Sequence, residues 1–381
     1  MHWSCPFRMI GTVSRSTQPL DCPCKPLMQK IPANNWRMTL KMIRRIWILT
    51  LFVTLLSGCG AFASVPPPVL LPPITETLTP ESTPAPSPTE TPLPTLTSTP
   101  LPKAERVLIV SFDGLRPDAV YAANMVNVLG LMQNGAFTLS AQTIMPSLTL
   151  PAHVSMLVGT CPAKHIVRWN EYVPQNGFAL GTDIFDLAQT AGMRTVMVVG
   201  KEKLRQVTEP ASTDFFEFVD KTDKIKDTTT VERLAISQIQ QGFDLMFVHF
   251  PDGDLAGHEN GWMSRQQLQA YTRDDVLFGM LLQALYINGM SDNTMVIVTS
   301  DHGGHDTTHG TDLPEDMTIP WIISGPGIVP GQLSTQVNIM DTAATAAFVL
   351  GLPLPLEWDG APVFEAFGMP VDLYRKSGCL Y

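Results

Sequence analysis

Acidic and imidazole side chains recur where apolar segments of this chain end. Segments 107–112, 245–250 and 295–298 are apolar and rich in branched residues, a pattern typical of buried strands. Aspartates follow each segment closely, and histidines stand near two of them; the residues are Asp113, Asp254, His258, Asp301, His302 and His309. Carboxylate oxygens and imidazole nitrogens are ligands of zinc and similar divalent ions.

An aspartate after a strand is also common in turns and helix caps, so each acid alone has an ordinary explanation. Three carboxylates gathered at neighbouring strand ends are harder to explain in that way. Burying a single unpaired carboxylate costs several kcal/mol even after relaxation. Bound divalent cations would remove that cost and make the acids ligands, so the combination predicts a metal site.

Thr149 is the candidate nucleophile. It precedes Pro151 and an apolar segment that predicts a helix from Pro151 to Val158, ending before Gly159. A hydroxyl at a helix N-terminus lies at the positive end of the helix dipole, among free backbone N–H groups. Capping of the helix is the common role of such a residue. A metal ion against its oxygen would instead make Thr149 a nucleophile.

The elements that must position these residues alternate between strands and helices. Further apolar strands are predicted at 195–199 and 321–323, and helices at 183–191, 229–241, 264–287 and 341–350. Strands that are apolar throughout indicate an α/β fold with a mostly parallel central sheet and helices on both faces. In such sheets ligands bind at the carboxyl ends of the strands.

The N-terminal third predicts a surface-tethered protein. Residues 1–37 lack periodicity and are interpreted as a possible upstream extension. Residues 38–58 combine a basic start with an apolar segment too short to cross a bilayer of about 30 Å, which indicates a signal peptide. The segment ends in Leu-Ser-Gly-Cys59, which resembles a bacterial lipobox and implies lipidation of Cys59. Residues 59–103 are a linker rich in Pro, Thr and Ser. Residues 104–381 form the predicted globular domain. Together these features predict an extracytoplasmic, membrane-anchored lipoprotein, with an uncleaved anchor or ordinary secretion as the alternatives.

Charge argues against nucleic-acid binding. The chain of 381 residues has a formal net charge of −10. Eight of its Lys and Arg residues, but only one acid, lie in the first 58 residues, so the remainder is strongly acidic. Such a domain repels a polyphosphate backbone, and a small substrate is the expected partner. Cys161 and Cys379 lie in the predicted domain and could pair, but the sequence does not decide this, nor does it indicate an oligomeric state.

Four motifs in order give the chain a family resemblance. They are Val-Ser-Phe-Asp113-Gly, Ser-Leu-Thr149-Leu-Pro-Ala-His, Asp254-x-x-x-His258, and Ser-Asp301-His302-Gly with His309-Gly. Together they resemble the alkaline phosphatase superfamily, specifically its type I phosphodiesterase/nucleotide pyrophosphatase family, over residues 105–365.

The resemblance implies a hydrolase of phosphate esters, chiefly diesters, with two divalent metal ions, usually Zn²⁺. One ion would be bound by Asp254, His258 and His309. The other would be bound by Asp113, Asp301, His302 and the Thr149 oxygen. The resemblance further implies that Asn170 binds a non-bridging phosphate oxygen, and that Thr149 forms a covalent phospho-threonine which water hydrolyses.

Departures from the family pattern leave the substrate open. Leu150 stands where nucleotide-cleaving members usually have a Phe that stacks on the base, and Ala152 where they tend to have Asn. His309 follows His302 by only seven residues. A phosphomonoesterase or a phosphonate hydrolase on the same site is one alternative. A non-catalytic surface lipoprotein with a structural metal site is another. Thr149 and His153 argue against the sulfatase branch.

The remaining polar and aromatic candidates receive ordinary interpretations. His305 is expected to lie outside the ligand set, and Asp252 to be a turn residue. The other imidazoles, His153, His165 and His249, are expected to be structural. Trp169, Tyr172 and Trp262 could line a pocket, although aromatic residues belong more often to a core.

Overall fold

The computed structural model describes residues 104–219, 228–370, 378 and 379, which contain an eight-stranded sheet. The strands are β1 (Arg106–Phe112), β2 (Ala136–Gln142), β3 (Thr195–Val199), β4 (Phe215–Phe218), β5 (Leu245–Phe250), β6 (Thr294–Thr299), β7 (Thr318–Ser324) and β8 (Gly331–Gln332). Their order across the sheet is β4-β3-β5-β1-β6-β7-β2-β8. Strand β7 runs antiparallel to β6 and β2, and the other neighbouring pairs are parallel.

Helices connect the strands. They are α1 (Pro117–Ala122), α2 (Val126–Asn134), α3 (Thr149–Val158), α4 (Pro162–His165), α5 (Ile184–Thr190), α6 (Thr228–Gln241), α7 (Asp252–Asn260), α8 (Arg265–Ile287), α9 (Pro314–Met317) and α10 (Asp341–Val349). The predicted helices are present within two residues of their expected ends. The largest difference concerns α3, which begins at Thr149 rather than at Pro151.

Two apolar layers cover the two faces of the sheet. In β1, Val107 and Ile109 belong to a cluster that includes residues of α3, α5 and α10. Leu108 and Val110 point to the opposite face and pack in a cluster with residues of α1, α2, α6 and α8. Because both faces are buried, the central strands are apolar throughout rather than alternating. The predicted mostly parallel sheet with helices on both faces is confirmed.

Three strands escaped prediction. β2 alternates between buried and partly exposed residues, all four residues of β4 are partly exposed, and β8 has only two exposed residues. None of them presents the continuous apolar run from which the central strands could be recognised.

The extension 1–37, the signal peptide 38–58, the lipidation site Cys59 and the linker 59–103 lie outside the described residues. In the part of the chain that is described, helices long and apolar enough to cross a membrane are absent. Cys161 and Cys379, whose pairing the sequence left open, form a disulfide with a Cα–Cα distance of 5.6 Å.

Candidate active site

Four adjacent strand ends build the site. β3, β5, β1 and β6 lie side by side and run in the same direction, so their carboxyl ends meet at one edge of the sheet. Asp113 follows β1 directly, and its N–H donates to the carbonyl of Phe250, the last residue of β5, at 3.0 Å. Asp254 lies in the first turn of α7, which begins at Asp252 right after β5, and Asp301 lies beyond β6.

The three carboxyl groups are buried, and each leaves one oxygen without a hydrogen bond. These oxygens are Asp113 Oδ1, Asp254 Oδ1 and Asp301 Oδ2. The opposite oxygens are bonded: Asp113 Oδ2 accepts from His249 Nε2 at 2.8 Å, and Asp301 Oδ1 accepts from the N–H of Gly114 at 3.1 Å. A buried polar atom without a partner is costly, so the three free oxygens fit a site for a cation.

The three predicted imidazole ligands share one orientation. Each places Nδ1 against a backbone carbonyl: His258 against Thr307 at 2.9 Å, His302 against Gly303 at 2.7 Å and His309 against Ser147 at 2.9 Å. With a carbonyl as acceptor, Nδ1 carries the proton and Nε2 keeps its lone pair. This is the tautomer and the support that metal-binding histidines show.

The spacing of the donor atoms fits metal coordination. Asp254 Oδ1 lies 3.4 Å from His258 Nε2 and 3.5 Å from His309 Nε2, while Asp113 Oδ1 lies 3.5 Å from His302 Nε2. Two tetrahedral ligands at about 2.0–2.1 Å from one zinc ion are separated by about 3.3–3.4 Å. Residues Asp254, His258 and His309 form one group that could bind an ion, as the resemblance implies.

The second group differs in composition from the implied one. It joins Asp113, His302 and Asp254. Asp301 approaches it from the side, with Oδ2 at 3.2 Å from His302 Nε2. The donor atoms therefore suit two divalent ions, with Asp254 close to both groups. The assignment of Asp301 to the second ion stays a prediction.

Thr149 lies at the centre of this arrangement. It is the first residue of α3, its side chain is buried, and Oγ1 lies 3.4 Å from His302 Nε2. Asn170 lies beside it, and Asn170 Oδ1 accepts from the N–H of Leu150 at 2.9 Å. This bond leaves the amide nitrogen of Asn170 as the group that can donate to a substrate. The structure thus brings together all the predicted site residues within the described part of the chain.

Lys201, which the sequence reasoning missed, reaches the same point from β3. Its Nζ lies 2.7 Å from Asp113 Oδ2, 2.5 Å from Asp254 Oδ2 and 3.3 Å from Thr149 Oγ1. A signal was available, because Gly200-Lys201 follows the apolar segment 195–199 just as aspartates follow the other strands. A lysine is not a metal ligand of the kind that acids and imidazoles provide, so the metal-site pattern did not include it.

The pKa values follow from burial and from these neighbours. Burial alone would raise the pKa of Asp113 and of Asp254, but the Lys201 ammonium holds both below the ordinary value. Burial, together with the nearby Asp113 carboxylate, raises the pKa of Asp301 to about 7. Burial also lowers the pKa of His302, and that of His309 to about 3, which keeps both imidazoles neutral. One ammonium is thus insufficient for three carboxylates, and the neutral imidazoles are available as ligands.

The other imidazoles take structural positions close to the site. His249 accepts from the N–H of Gly200 through Nδ1 and holds Asp113 through Nε2. His153 Nε2 lies 2.9 Å from Ser111 Oγ, and His153 Nδ1 lies 3.4 Å from Asp301 Oδ2.

Two expectations about neighbouring polar residues can also be compared with the structure. His305 pairs with Asp316 at 2.8 Å, outside the ligand groups, as expected. Asp252 opens α7 instead of lying in a turn.

Trp262 packs beneath the ligand loops rather than lining the pocket. Its Nε1 donates to the carbonyl of Gly114 at 3.0 Å, and its ring lies 5.1 Å from the ring of His258 and 5.7 Å from that of His309. It therefore fixes the position of two ligand imidazoles.

A cavity of about 420 Å³ opens above Thr149. Its floor includes Thr149, Asn170, Lys201, Asp254, His258 and His309. Tyr172, Phe218 and Leu255 contribute apolar surface to its walls. The cavity thus joins the ligand cluster to apolar surface, an arrangement typical of small-molecule sites.

Residues 107–318, more than half of the chain, match the family described as type I phosphodiesterase / nucleotide pyrophosphatase. The chain belongs to this family. The resemblance drawn from the four motifs is thus confirmed.

A curated protein is similar to this chain over part of its length. An uncharacterized pyrophosphatase/phosphodiesterase of Schizosaccharomyces pombe is 26% identical over 216 residues, which are 52% of this chain and 44% of that protein. The chain therefore spans less than half the length of that curated relative.

Two solved structures resemble this member of the phosphodiesterase family. Murine ectonucleotide pyrophosphatase/phosphodiesterase 5, solved as an inactive threonine-to-alanine variant with AMP, has a TM-score of 0.56 at 16% identity and covers 69% of this chain and 98% of its own. The phosphonate monoester hydrolase of Silicibacter pomeroyi has a TM-score of 0.56 at 14% identity, with coverages of 71% and 78%. At such identities the likeness concerns the fold, and it supports the alkaline-phosphatase-like architecture.

Proposed function

We propose that this chain hydrolyses phosphodiesters with Thr149 as the nucleophile and two divalent ions, Zn²⁺ by the chemistry of the ligands. The observation that carries the proposal is the position of Thr149 Oγ1, 3.4 Å from the Nε2 atom of His302, inside a cluster of three buried carboxylates and three imidazoles. A helix cap would need none of these neighbours.

Asp254, His258 and His309 would hold one ion, and Asp113, His302, Asp301 and the Thr149 oxygen the other. When bound, the ions supply Lewis acidity and neutralise charge on the transferring phosphoryl group. Phosphoryl transfer depends chiefly on such positioning and neutralisation. An acidic domain can accept an anionic ester because the ions reverse the local charge.

The protein's own residues account for the remaining steps. The Thr149 hydroxyl loses its proton and its oxygen forms a bond to phosphorus as the bond to the leaving alcohol breaks, and the alcohol departs with that proton. Water then cleaves the Thr149 phosphoester, which restores the hydroxyl and releases the phosphate monoester. During both steps the Asn170 amide donates to a non-bridging oxygen. The N-terminal end of α3 adds a partial positive charge beside the same phosphoryl group.

A chromogenic panel tests this function. Full-length protein supplied with Zn²⁺ is assayed against bis(p-nitrophenyl) phosphate, p-nitrophenyl phosphate and p-nitrophenyl phenylphosphonate. The diester is expected to give the highest kcat/KM, and Thr149→Ala to abolish turnover. Thr190→Ala, an exposed threonine at the end of α5, is the matched control and should retain full activity.

Other results would select other functions. A preference for the monoester or the phosphonate would favour the alternative enzymes. Turnover that survives in Thr149→Ala would refute the nucleophile. Stoichiometric metal without turnover of any ester would favour a structural metal site on a surface protein.

We further propose that the domain acts outside the cytoplasm, tethered by a lipid on Cys59. The Cys161–Cys379 disulfide supports this location, because disulfides persist mainly in oxidising compartments. Metabolic labelling with a palmitate analogue should tag the wild-type chain and not Cys59→Ala. Equal labelling of both would refute lipidation at this residue.

A further inference from the structure

Lys201 occupies a position that the proposed reaction does not yet explain. It follows β3 at the site edge of the sheet, and its side chain is 12% exposed. Its ammonium bridges one carboxylate from each ligand group, Asp113 and Asp254. An ammonium in contact with two potential metal ligands could stand in for an ion, support the carboxylates, or act on the substrate.

The carboxylate geometry argues against the first role. Asp113 and Asp254 each present Oδ1 to imidazole nitrogens, at 3.5 Å from His302 and 3.4 Å from His258. Each presents the other oxygen, Oδ2, to Lys201. The ammonium and the imidazoles thus face opposite edges of the same two carboxylates. Asp113, Asp254 and these imidazoles could therefore hold an ion without displacing the lysine.

The third proton of the ammonium distinguishes the remaining two roles. An ammonium has three N–H groups, and two of them account for the carboxylate bonds. The third can reach Thr149 Oγ1, which lies 3.3 Å away. Lys201 also lines the cavity beside Thr149 and Asn170. A phosphoryl group bonded to Thr149 would place its non-bridging oxygens within this space.

We propose that Lys201 is a catalytic residue, which donates to a non-bridging oxygen of the phosphoryl group during its transfer to and from Thr149. The inference rests on the proposed function and adds a third cation to it. Two divalent ions and one ammonium outweigh the three ligand carboxylates, so the ligand cluster keeps an excess of positive charge for an anionic ester. Removing one preorganised donor of this kind lowers kcat by about 10²–10³-fold.

The test compares Lys201→Met with wild type in the full-length, Zn²⁺-loaded protein. Methionine has a similar length and no charge. Expected are an unchanged zinc content, kcat for bis(p-nitrophenyl) phosphate lower by about 10²–10³-fold, and KM changed far less. The inhibition constant of orthovanadate, which mimics the transferring phosphoryl group, should rise by a comparable factor. Arg233→Met is the charge-matched control, because Arg233 bonds only within α6 in the contacts described.

Each contrary result has a distinct meaning. An unchanged kcat and vanadate affinity would overturn the proposal. If saturating Zn²⁺ restored the activity of the variant, Lys201 would have a supporting role for the carboxylates. Extra bound zinc in the variant would mean that the lysine occupies an ion's position. Either result would overturn the proposal. Lys201→Gln serves the same test if the methionine variant does not fold. Failure of the function itself appears separately, as unaltered turnover in Thr149→Ala, and vanadate binding still tests Lys201 in that case.

Discussion

Gly304 offers a sharp test of how the ligand loop is supported. It follows the Asp301-His302 pair, and its Cα faces the indole of Trp262. A Cβ added there would lie 2.1 Å from Trp262 Cε2 and 2.5 Å from Cδ2, far inside van der Waals contact. The glycine is required by this contact rather than by its backbone, because its φ does not lie in the left-handed region.

The indole has little room to yield. Its Nε1 donates to the carbonyl of Gly114, and its ring packs so closely on Gly257 that a Cβ there would lie 2.9 Å from Cε3. Gly304→Ala should therefore cost about 1–3 kcal/mol in overpacking and about 1 kcal/mol for a weakened hydrogen bond. For a domain of this size, a loss of about 2–4 kcal/mol lowers Tm by roughly 4–8 °C.

In Gly304→Ala the loop that has to shift carries His302, and the indole of Trp262 that it displaces contacts His258 and His309. Zinc affinity should therefore fall together with stability, by about 10-fold or more, as when the supports of metal ligands are removed. Calorimetry measures the first effect, and competition with a chromogenic chelator measures the second.

Gly130→Ala is the matched control. Gly130 lies within α2, with nothing within 4 Å of an added Cβ, so this change should stabilise the protein by about 0.5–1 kcal/mol and leave zinc affinity unchanged. If Gly304→Ala matched this control in Tm and in zinc affinity, the supporting role of Trp262 would be refuted.

Three further outcomes are expected. Burial lowers the pKa of His165 from 6.5 to about 4, so the stability that its neutral ring provides is complete above pH 6.5 and is lost as the pH falls towards 4. In thermal melts the Tm of wild type should therefore fall more steeply over this pH window than the Tm of His165→Gln. Parallel curves of Tm against pH would contradict the assignment. Removal of the disulfide by Cys161→Ser with Cys379→Ser, which opens a link across 218 residues, should cost about 2–5 kcal/mol, and reductant should lower the wild-type Tm but not that of the double variant. Chelation of the ions from the full-length protein should lower Tm, because three buried carboxylates then face a single ammonium. Added Zn²⁺ should restore the Tm in a concentration-dependent way. A Tm that does not change with chelator would argue that no ion is bound.

The central strands and the ligand residues were predictable because burial on both faces makes such strands continuously apolar. Asp113 and Asp301 stand directly beyond such runs, so their location at one edge followed from the direction of parallel strands. β2 and β4 could not be recognised in this way, since their residues are only partly buried. The support given by Trp262 could not be predicted either, because it depends on Gly114, Gly257 and Gly304, from distant parts of the chain, meeting around the indole.

Lys201 shows a different kind of limit. The sequence places it after an apolar strand, but the sequence does not give the order of strands across the sheet. Because β3 lies next to β5, and β5 next to β1, the lysine reaches Asp254 and Asp113 together. At the far edge of the sheet, in the position of β8, the same residue would be a surface cation.

The strand order also explains the position of Asp113 within the site. β1 lies between β5 and β6, so the Asp113 motif lies between the Asp254 and Asp301 motifs in space. Asp113 is bonded to Lys201 and His249 through one oxygen and faces His302 with the other, while the N–H of the adjacent Gly114 binds Asp301. Asp254 belongs to both ligand groups, so a change at Asp254 should disturb both ions, whereas a change at His258 should disturb chiefly one. Zinc stoichiometry of Asp254→Asn and His258→Asn separates the two cases, and equal losses would mean that the two groups bind as a single unit.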